Sequence, residues 1–246
     1  MANDLTIVMS GAKQSGKNTC CNYILARYLN VIKHSHNWVF GVHLKTGDLI
    51  RGEVSLYGAE RYANNSYIGK CGAKIYSFAD PLKRFCIDVL GVPEQGCYGT
   101  DEDKNAPIEH LLWQNFPVKE AVEGRTGMMS GRDVLQVFGT DVVRKFYNDA
   151  WARGTYSNIK REGYKLALIC DARFPNELDM GESVNVKSVR MLRRVFADVH
   201  KSETALDDRP LNQYTVILDN RELDIAQQCK ALDPYIDEWF KEARFI

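Results

Sequence analysis

The stretch Leu5–Asn18, LTIVMSGAKQSGKN, decides how the rest of the chain is interpreted. Its first five residues, Leu5–Met9, are mostly apolar or β-branched, as is typical of a short buried strand. The segment Gly11–Lys17 follows almost directly, and a helical pattern begins at Thr19. The sequence therefore predicts a strand, a glycine-containing loop and a helix in direct succession.

The loop fits the pattern G-x-x-x-x-G-K, which is typical of phosphate-binding loops. Gly11 and Gly16 permit backbone angles at which successive N–H groups point at an anion, and the positive end of the following helix adds to their effect. Lys17 would reach the β- and γ-phosphates of a nucleotide. Ser or Thr normally follows this lysine and ligates magnesium, whereas this chain has Asn18 and then Thr19. An amide oxygen can still ligate a hard cation or a bridging water.

The composition indicates an ordinary globular chain without a strong charge bias. The 246 residues include 32 Lys and Arg and 32 Asp and Glu, so the formal net charge is zero. No global field therefore draws the chain toward nucleic acid or an anionic membrane, although a local basic groove is compatible with it. The longest apolar stretches are of strand length, and no signal-peptide pattern is present. We expect a single cytoplasmic domain over residues 1–246, with neither a membrane nor nucleic acid as a partner.

Cysteine and histidine usage argues against disulfides and metal centres. The chain has seven cysteines, an odd number, and no C-x-x-C pair, so we expect buried reduced thiols. Cys20 and Cys21 fall near a helix N-terminus, where a thiol pKa can be lowered, but this position alone does not indicate a nucleophile. His34, His36 and His43 have no carboxylate or thiol at metal-ligand spacing.

Two segments interrupt the expected alternation of strands and helices. Residues 33–72 contain two apolar runs that flank Lys45–Asp48, and we interpret them as a small β-hairpin insertion. Residues 91–131 are rich in Gly, Pro and charge, which predicts a long irregular segment that acts as a mobile lid or substrate segment. Between the two, Asp80 follows a strand. Either it caps the next helix, which is the preferred interpretation, or it contacts a ligand.

The second half predicts a long helical segment and another central strand. Arg132–Tyr147 has a helical pattern that Gly139 is expected to interrupt. Leu166–Cys170 is strongly apolar and leads into Asp171, an arrangement that places a carboxylate near magnesium or its waters. Because strands and helices alternate along the chain, we expect a central parallel sheet with right-handed crossovers.

Five ordered pieces of the chain resemble the bacteriophage deoxynucleoside monophosphate kinases, a branch of the P-loop nucleotide kinases. The pieces are Gly11–Thr19, Ser77–Pro81, Arg132–Trp151, Asp171–Glu177 and His200–Glu203. The third piece, a long helical segment with Gly-Thr-Asp, and the fourth, Asp-x-Arg-Phe-Pro-Asn-Glu, are much more specific than the loop alone. The resemblance implies a P-loop NTPase fold of three layers, α/β/α, around a central parallel sheet. Asn18 stands where this family usually has aspartate.

The resemblance also implies roles for individual residues. Lys17, Arg132, Asp171 and Arg173 would take part directly in the reaction, and Asn18 and Asp171 would face Mg²⁺. The residues implied to bind ATP are Gly11, Lys13, Ser15, Gly16, Lys17, Asn18 and Thr19. The residues implied to bind the deoxynucleotide are Arg132, Gly139, Trp151, Asp171, Arg173, Glu177 and Glu203.

Four of these residues keep two interpretations each. Trp151 is either a base-stacking platform or a core tryptophan. Glu177 and Glu203 either read base edges or hold the arginines. Arg173 either clamps the acceptor phosphate with its planar guanidinium or forms a surface ion pair with Glu177, one helical turn away.

The activity implied is transfer of the γ-phosphoryl group of ATP to the 5′-phosphate of a deoxynucleoside monophosphate, with ATP and Mg²⁺ as cofactors. The acceptor oxygen is already anionic at pH 7, so alignment and charge neutralisation would carry the catalysis. The first alternative is a hydroxyl acceptor, such as a modified base in DNA, which would require a general base. The second is a non-catalytic nucleotide-dependent switch. The sequence leaves a homodimer open.

Overall fold

The computed structural model describes residues 4–32, 38–53, 59–116, 119–122, 124–180, 185–195 and 204–246. Its contacts divide the chain into two compact units. The first, which we call the sheet unit, consists of residues 1–77 and 156–246, and the second, which we call the inserted unit, consists of residues 78–155. The single-domain organisation of the chain stays a prediction.

Strands and helices alternate through most of the described residues. The strands are β1 (Leu5–Ser10), β2 (Val39–Val42), β3 (Leu49–Gly52), β4 (Glu60–Arg61), β5 (Ala73–Tyr76), β6 (Pro107–Leu112), β7 (Met128–Ser130), β8 (Leu166–Ala172), β9 (Val186–Met191) and β10 (Val216–Leu218). The α-helices are α1 (Lys17–Ile32), α2 (Asn65–Lys70), α3 (Asp80–Asp88), α4 (Glu94–Tyr98), α5 (Asp101–Asn105), α6 (Lys119–Val122), α7 (Gly131–Gln136), α8 (Ala150–Glu162), α9 (Pro175–Asp179) and α10 (Ile225–Glu242).

The sheet unit is built on a five-stranded parallel sheet in the order β10-β9-β1-β8-β5. Leu5, Ile7 and Met9 of β1 belong to an apolar cluster that also contains buried residues of α1 and α10. Because successive strand residues point to opposite faces, Thr6 and Val8 face the other side of the sheet, where they are buried as well. The predicted α/β fold with a central parallel sheet flanked by helices is therefore confirmed.

The predicted β insertion is present between α1 and β5. Strands β2 and β3 pair antiparallel from Val39↔Gly52 to Val42↔Leu49, and β4 adds a third strand beside β3. Residues 33–37 and 54–58 lie outside the described residues, so the expectations for His34 and His36 stay predictions. The hairpin turn falls at the predicted Lys45–Asp48.

The inserted unit overturns the expectation that residues 91–131 are irregular. Four short helical turns, three α-helical and one 3₁₀, and an antiparallel β6–β7 pair occupy much of this segment. The segment is ordered because helix α5 has a local cap and because apolar residues of the segment join a core within the inserted unit. Thr100 and Asp103 form a reciprocal cap at the start of α5. Trp113 is buried in an apolar cluster with Ile108 and Met129. That the segment moves as a lid stays a prediction.

The sequence predicts that Gly139 interrupts its helix, but in the structure the helix continues through this residue. Helix α7 continues directly into a π-helical stretch, Val137–Arg144, that contains Gly139. A Cβ at Gly139 would lie 2.5 Å from Cδ2 of Leu82 in α3, so the glycine is explained by close packing. The expected cap at Asp80 is also wrong, because Ala79 occupies the N-cap position and Asp80 is the first residue of α3.

The seven cysteines are free thiols, and all except the half-buried Cys170 are buried, as expected. Burial raises the pKa of the Cys20 thiol, and a hydrogen bond with Cys170 together with burial raises that of Cys21. The helix N-terminus therefore does not activate either thiol. Among the described helices, none combines the length and the apolar character that a bilayer span requires.

Candidate phosphate-binding site

The loop between β1 and α1 has backbone conformations that favour glycine. Gly11 has φ +150° and Gly16 has φ +100°. A Cβ at Gly11 would lie 2.8 Å from Oγ of Ser15 and 3.0 Å from the carbonyl oxygen of Met191. A Cβ at Gly16 would lie 2.8 Å from the side-chain amide of Gln228. Both glycines are therefore required by conformation and by space, and the loop forms a narrow backbone cradle.

Lys17 is the first residue of α1, and its ammonium group folds back over the loop. Its Nζ donates hydrogen bonds to the carbonyl oxygens of Gly11 at 3.0 Å and Ala12 at 2.7 Å. The cation is thus held at the rim of the cradle, next to the positive end of the helix. Phosphate oxygens are acceptors that could replace these two carbonyls.

The buried hydroxyl of Ser15 is consistent with a phosphate ligand in the loop. Its side chain is fully buried, and its Oγ has no hydrogen-bond partner among the described residues. A buried hydroxyl without a partner costs free energy, and a phosphate oxygen in the cradle would satisfy it. Together with the two glycines and Lys17, it makes the loop chemically suited to a polyphosphate.

Two side chains that the sequence analysis missed support this loop from behind. Nδ2 of the fully buried Asn220 donates to the carbonyl oxygen of Ser15 at 2.7 Å and to Oε1 of Gln228 at 2.7 Å. Nε2 of Gln228 donates to the carbonyl oxygen of Gly16 at 3.4 Å and contacts Sγ of Cys20 at 3.1 Å. Asn220 follows the apolar strand β10, a position that could have marked it. Nothing in the pattern of α10 singles out Gln228.

Asp171 lies beside the loop, on the neighbouring strand. It is the sixth residue of β8, one position beyond the strand end that the sequence predicts, and Ala172 pairs with Ser10 at the start of the loop. The hydroxyl of Ser77 donates a short hydrogen bond to Oδ2 of Asp171. Asp171 also lies close enough to α1 to contribute to the raised pKa of Cys21. These contacts place its carboxylate at the carboxyl edge of the sheet, where ligands bind in this class of fold.

Glu177 closes the turn that carries Arg173. Its Oε2 accepts hydrogen bonds from the backbone N–H groups of Arg173 at 2.7 Å and Phe174 at 3.1 Å. Only 2% of Glu177 is exposed, so a surface ion pair does not describe it. Its carbonyl accepts a hydrogen bond from the hydroxyl of Tyr156 at 2.7 Å, and burial beside Glu177 raises the pKa of that tyrosine. Glu177 therefore holds the backbone of Arg173 in place.

Three of the expected substrate residues belong to the inserted unit. Nη2 of Arg132 forms an ion pair with Oδ1 of Asp101 at 2.6 Å. Nε1 of Trp151 donates to the carbonyl oxygen of Gly139 at 3.1 Å, and its ring packs against the apolar cluster of that unit. The structure thus brings Trp151 and Gly139 together. Glu203 lies outside the described residues.

The oxygen donors near the loop are suited to a magnesium ion that has few protein ligands. No group of three His, Cys, Asp or Glu side chains able to hold a metal occurs in the part of the chain that the structure describes. Mg²⁺ is usually held by one or two carboxylates together with water and phosphate oxygens, so such a group is not required. Asp171 and the exposed amide of Asn18 are the oxygen donors that could face the ion.

Two proteins named as deoxynucleotide monophosphate kinases are similar to the chain. The putative deoxynucleotide monophosphate kinase of Acanthamoeba polyphaga mimivirus is 29% identical over 159 residues, which cover 58% of this chain and 73% of that protein. The deoxynucleotide monophosphate kinase of Enterobacteria phage T4 is 22% identical over 219 residues, which cover 82% of this chain and 88% of that protein. No protein-family model matches the chain. The resemblance inferred from the motifs is confirmed, and these relatives support a nucleotide kinase role.

Proposed function

We propose that the protein transfers the γ-phosphoryl group of ATP to the 5′-phosphate of a deoxynucleoside monophosphate and thereby produces the diphosphate. The observation that carries the proposal is the loop before α1, in which two glycines with positive φ, the buried Ser15 hydroxyl and Lys17 surround one cradle. The names of the two viral relatives support the choice of acceptor. The proposed partners are small nucleotides, and the proposed location is the cytoplasm.

On the donor side, the cradle holds the phosphates and Lys17 neutralises them. Backbone N–H groups of the loop and the N-terminal end of α1 face the polyphosphate. Lys17 exchanges its two carbonyl acceptors, on Gly11 and Ala12, for phosphate oxygens. Lys13 and Thr19 complete the proposed donor contacts. Mg²⁺, which Asn18 and Asp171 would hold, supplies additional charge neutralisation when it is bound.

On the acceptor side, the proposal assigns the monophosphate to Arg132 and Arg173. Glu177 fixes the backbone of Arg173 just after β8. A fixed backbone limits the positions that the guanidinium can occupy, which favours alignment with the acceptor. The proposal assigns Asp171, whose carboxylate accepts a hydrogen bond from Ser77, to the ion or the sugar. Gly139, Trp151 and Glu203 complete the proposed deoxynucleotide contacts.

The test is an acceptor panel. ATP consumption is measured with each deoxynucleoside monophosphate, with the matching ribonucleotides, with a nucleoside and with a DNA duplex, and the diphosphate product is identified. The proposal expects turnover that depends on a deoxynucleoside monophosphate. Turnover with the nucleoside or the duplex alone would indicate a hydroxyl acceptor, and acceptor-independent slow hydrolysis would indicate a switch.

A further inference from the structure

The β insertion is hydrogen-bonded to α1 at two places along the helix. Near the C-terminal end of the helix, Nδ2 of Asn30 donates to the carbonyl oxygen of Phe40, and the backbone N–H of Phe40 donates to Oδ1 of Asn30, both at 2.9 Å. Near the N-terminal end, Nδ2 of Asn22 donates to the carbonyl oxygen of Gly47 at 2.9 Å. Strand β2 and the turn after it therefore run back along the helix toward the phosphate-binding loop.

The turn reaches the first residues of α1 directly. Gly47 has φ +73°, and a Cβ on it would lie 2.1 Å from Oγ1 of Thr19. No side chain fits into that distance, so the backbone of the turn lies against Thr19, the residue after Asn18. The turn is closed by its own hydrogen bonds, from Gly47 N to the His43 carbonyl at 2.7 Å and from His43 N to the Asp48 carbonyl at 2.9 Å.

The insertion is packed firmly enough to hold this turn in place. Phe40 and Leu49 belong to the same apolar cluster as α1. On its aromatic side, the guanidinium of Arg51 lies 3.7 Å from the ring centroid of Trp38 and 4.8 Å from that of Tyr62. Such cation–π contacts add stability to apolar packing. The turn is thus a fixed part of the sheet unit.

The exposed side of the turn carries a positive charge. Lys45 is exposed and lies two residues before Gly47, the residue that touches Thr19. Asp48, the carboxylate of the turn, forms an ion pair with Arg61 at 3.3 Å. Within the described ranges, Lys45 has no carboxylate partner of its own. The turn therefore carries an exposed lysine two residues from its contact with the first turn of α1.

We propose that the turn of residues 43–48 forms one wall of the donor-nucleotide site and that Lys45 binds phosphate oxygens of the nucleoside triphosphate. This inference rests on the proposed function, because it takes the loop before α1 as the donor site. An ammonium group acts on phosphate as a point charge on a flexible stem, which suits an exposed turn. Because position 18 is Asn18 and not an aspartate, no carboxylate at that position competes with phosphate for the ammonium group of Lys45.

The first experiment measures the dissociation constant of a non-hydrolysable ATP analogue by calorimetry for Lys45→Ala. We expect binding to weaken about tenfold, which corresponds to about 1.4 kcal/mol, as for one lost charge-assisted contact. The matched control is Lys70→Ala, because Lys70 is also exposed but ends α2 just before β5, at the amino edge of the sheet. Its affinity should equal that of the parent. Parental affinity in Lys45→Ala would overturn the inference.

The second experiment displaces the turn with Gly47→Ala. The added methyl group must push the turn away from Thr19, so we expect the analogue to bind at least as weakly as in Lys45→Ala. The control for backbone strain alone is Gly127→Ala, since Gly127 has φ +85° and open space around it. Thermal unfolding checks that both variants fold. Parental affinity in a folded Gly47→Ala variant would also contradict the proposal.

A third variant separates this inference from the proposed function. Lys17→Ala should abolish analogue binding if the loop is the donor site. Loss of binding in Lys17→Ala with parental binding in Lys45→Ala would overturn only the role of the turn. Parental binding in both would overturn the donor site itself and the inference with it.

Discussion

The phosphate-binding loop and the segment 91–131 of the inserted unit keep their shapes by different means. The loop is supported by Asn220 and Gln228, which are more than 200 residues away in sequence. In residues 91–131, a capped turn such as Thr100–Asp103 is closed by partners three residues apart. The loop therefore depends on the assembled sheet unit for its shape. The capped turn obtains its shape from hydrogen bonds between neighbours in sequence.

The largest expected effect tests the chemistry of the loop. Lys17→Ala should reduce phosphoryl transfer by a barrier increase on the order of 3 kcal/mol or more, because it removes a positioned cation opposite the transferring phosphate. Its stability should change little, since the two carbonyls that Lys17 contacts lie at the loop rim, where water can replace it. Steady-state kinetics and thermal unfolding measure the two quantities. Near-parental transfer in a folded variant would contradict the assignment of the loop.

Arg173 tests a turn that combines both means of support. Glu177 closes it locally, while β8 places it at the edge of the sheet. If the planar guanidinium binds the acceptor phosphate through two hydrogen bonds, Arg173→Lys should lower kcat/KM for the monophosphate, because lysine keeps the charge but not the geometry. The expected decrease is about thirtyfold, which corresponds to an increase of about 2 kcal/mol in the activation barrier. ATP binding and thermal stability should stay near parental values. An unaltered kcat/KM would make Arg173 structural, and an equal loss of ATP affinity would move it to the donor side.

The contrast between long-range and local support is tested by two truncations. Asn220→Ala leaves the carbonyl of Ser15 without its buried donor and should cost about 2 kcal/mol of unfolding free energy. It should also weaken binding of the ATP analogue, because the loop loses its support. Thr100→Ala removes a helix cap and should cost about 1 kcal/mol without changing analogue affinity. Denaturant unfolding and calorimetry on both variants check this. Equal losses of affinity would show that the two regions are not supported differently.

The same contrast explains which features were predictable. Leu5–Met9 and Leu166–Cys170 are apolar enough to define central strands, and Gly11 and Gly16 have the spacing of a phosphate-binding loop. Gly139 was misread because its partner is Leu82, a contact that no local pattern reveals. Residues 91–131 were misread because polar composition hides short capped helices and a small core around Trp113. Asn220 and Gln228 could not be assigned, because only the folded sheet unit brings them to the loop.

The smallest expected effect concerns Asn18, at the point where the chain differs from the family that it resembles. Asn18 is exposed on the first turn of α1, so a carboxylate can replace its amide with little strain. Asn18→Asp should leave stability almost unchanged, since an acidic residue in the first turn of a helix is worth only about 0.3–1 kcal/mol. If the side chain faces the metal, the variant should retain activity but reach half-maximal rate at a different magnesium concentration, because an anionic oxygen binds Mg²⁺ more strongly than an amide does. Magnesium titrations of parent and variant at saturating ATP measure this. Superimposable titration curves would place Asn18 away from the ion and leave Asp171 as the proposed protein ligand.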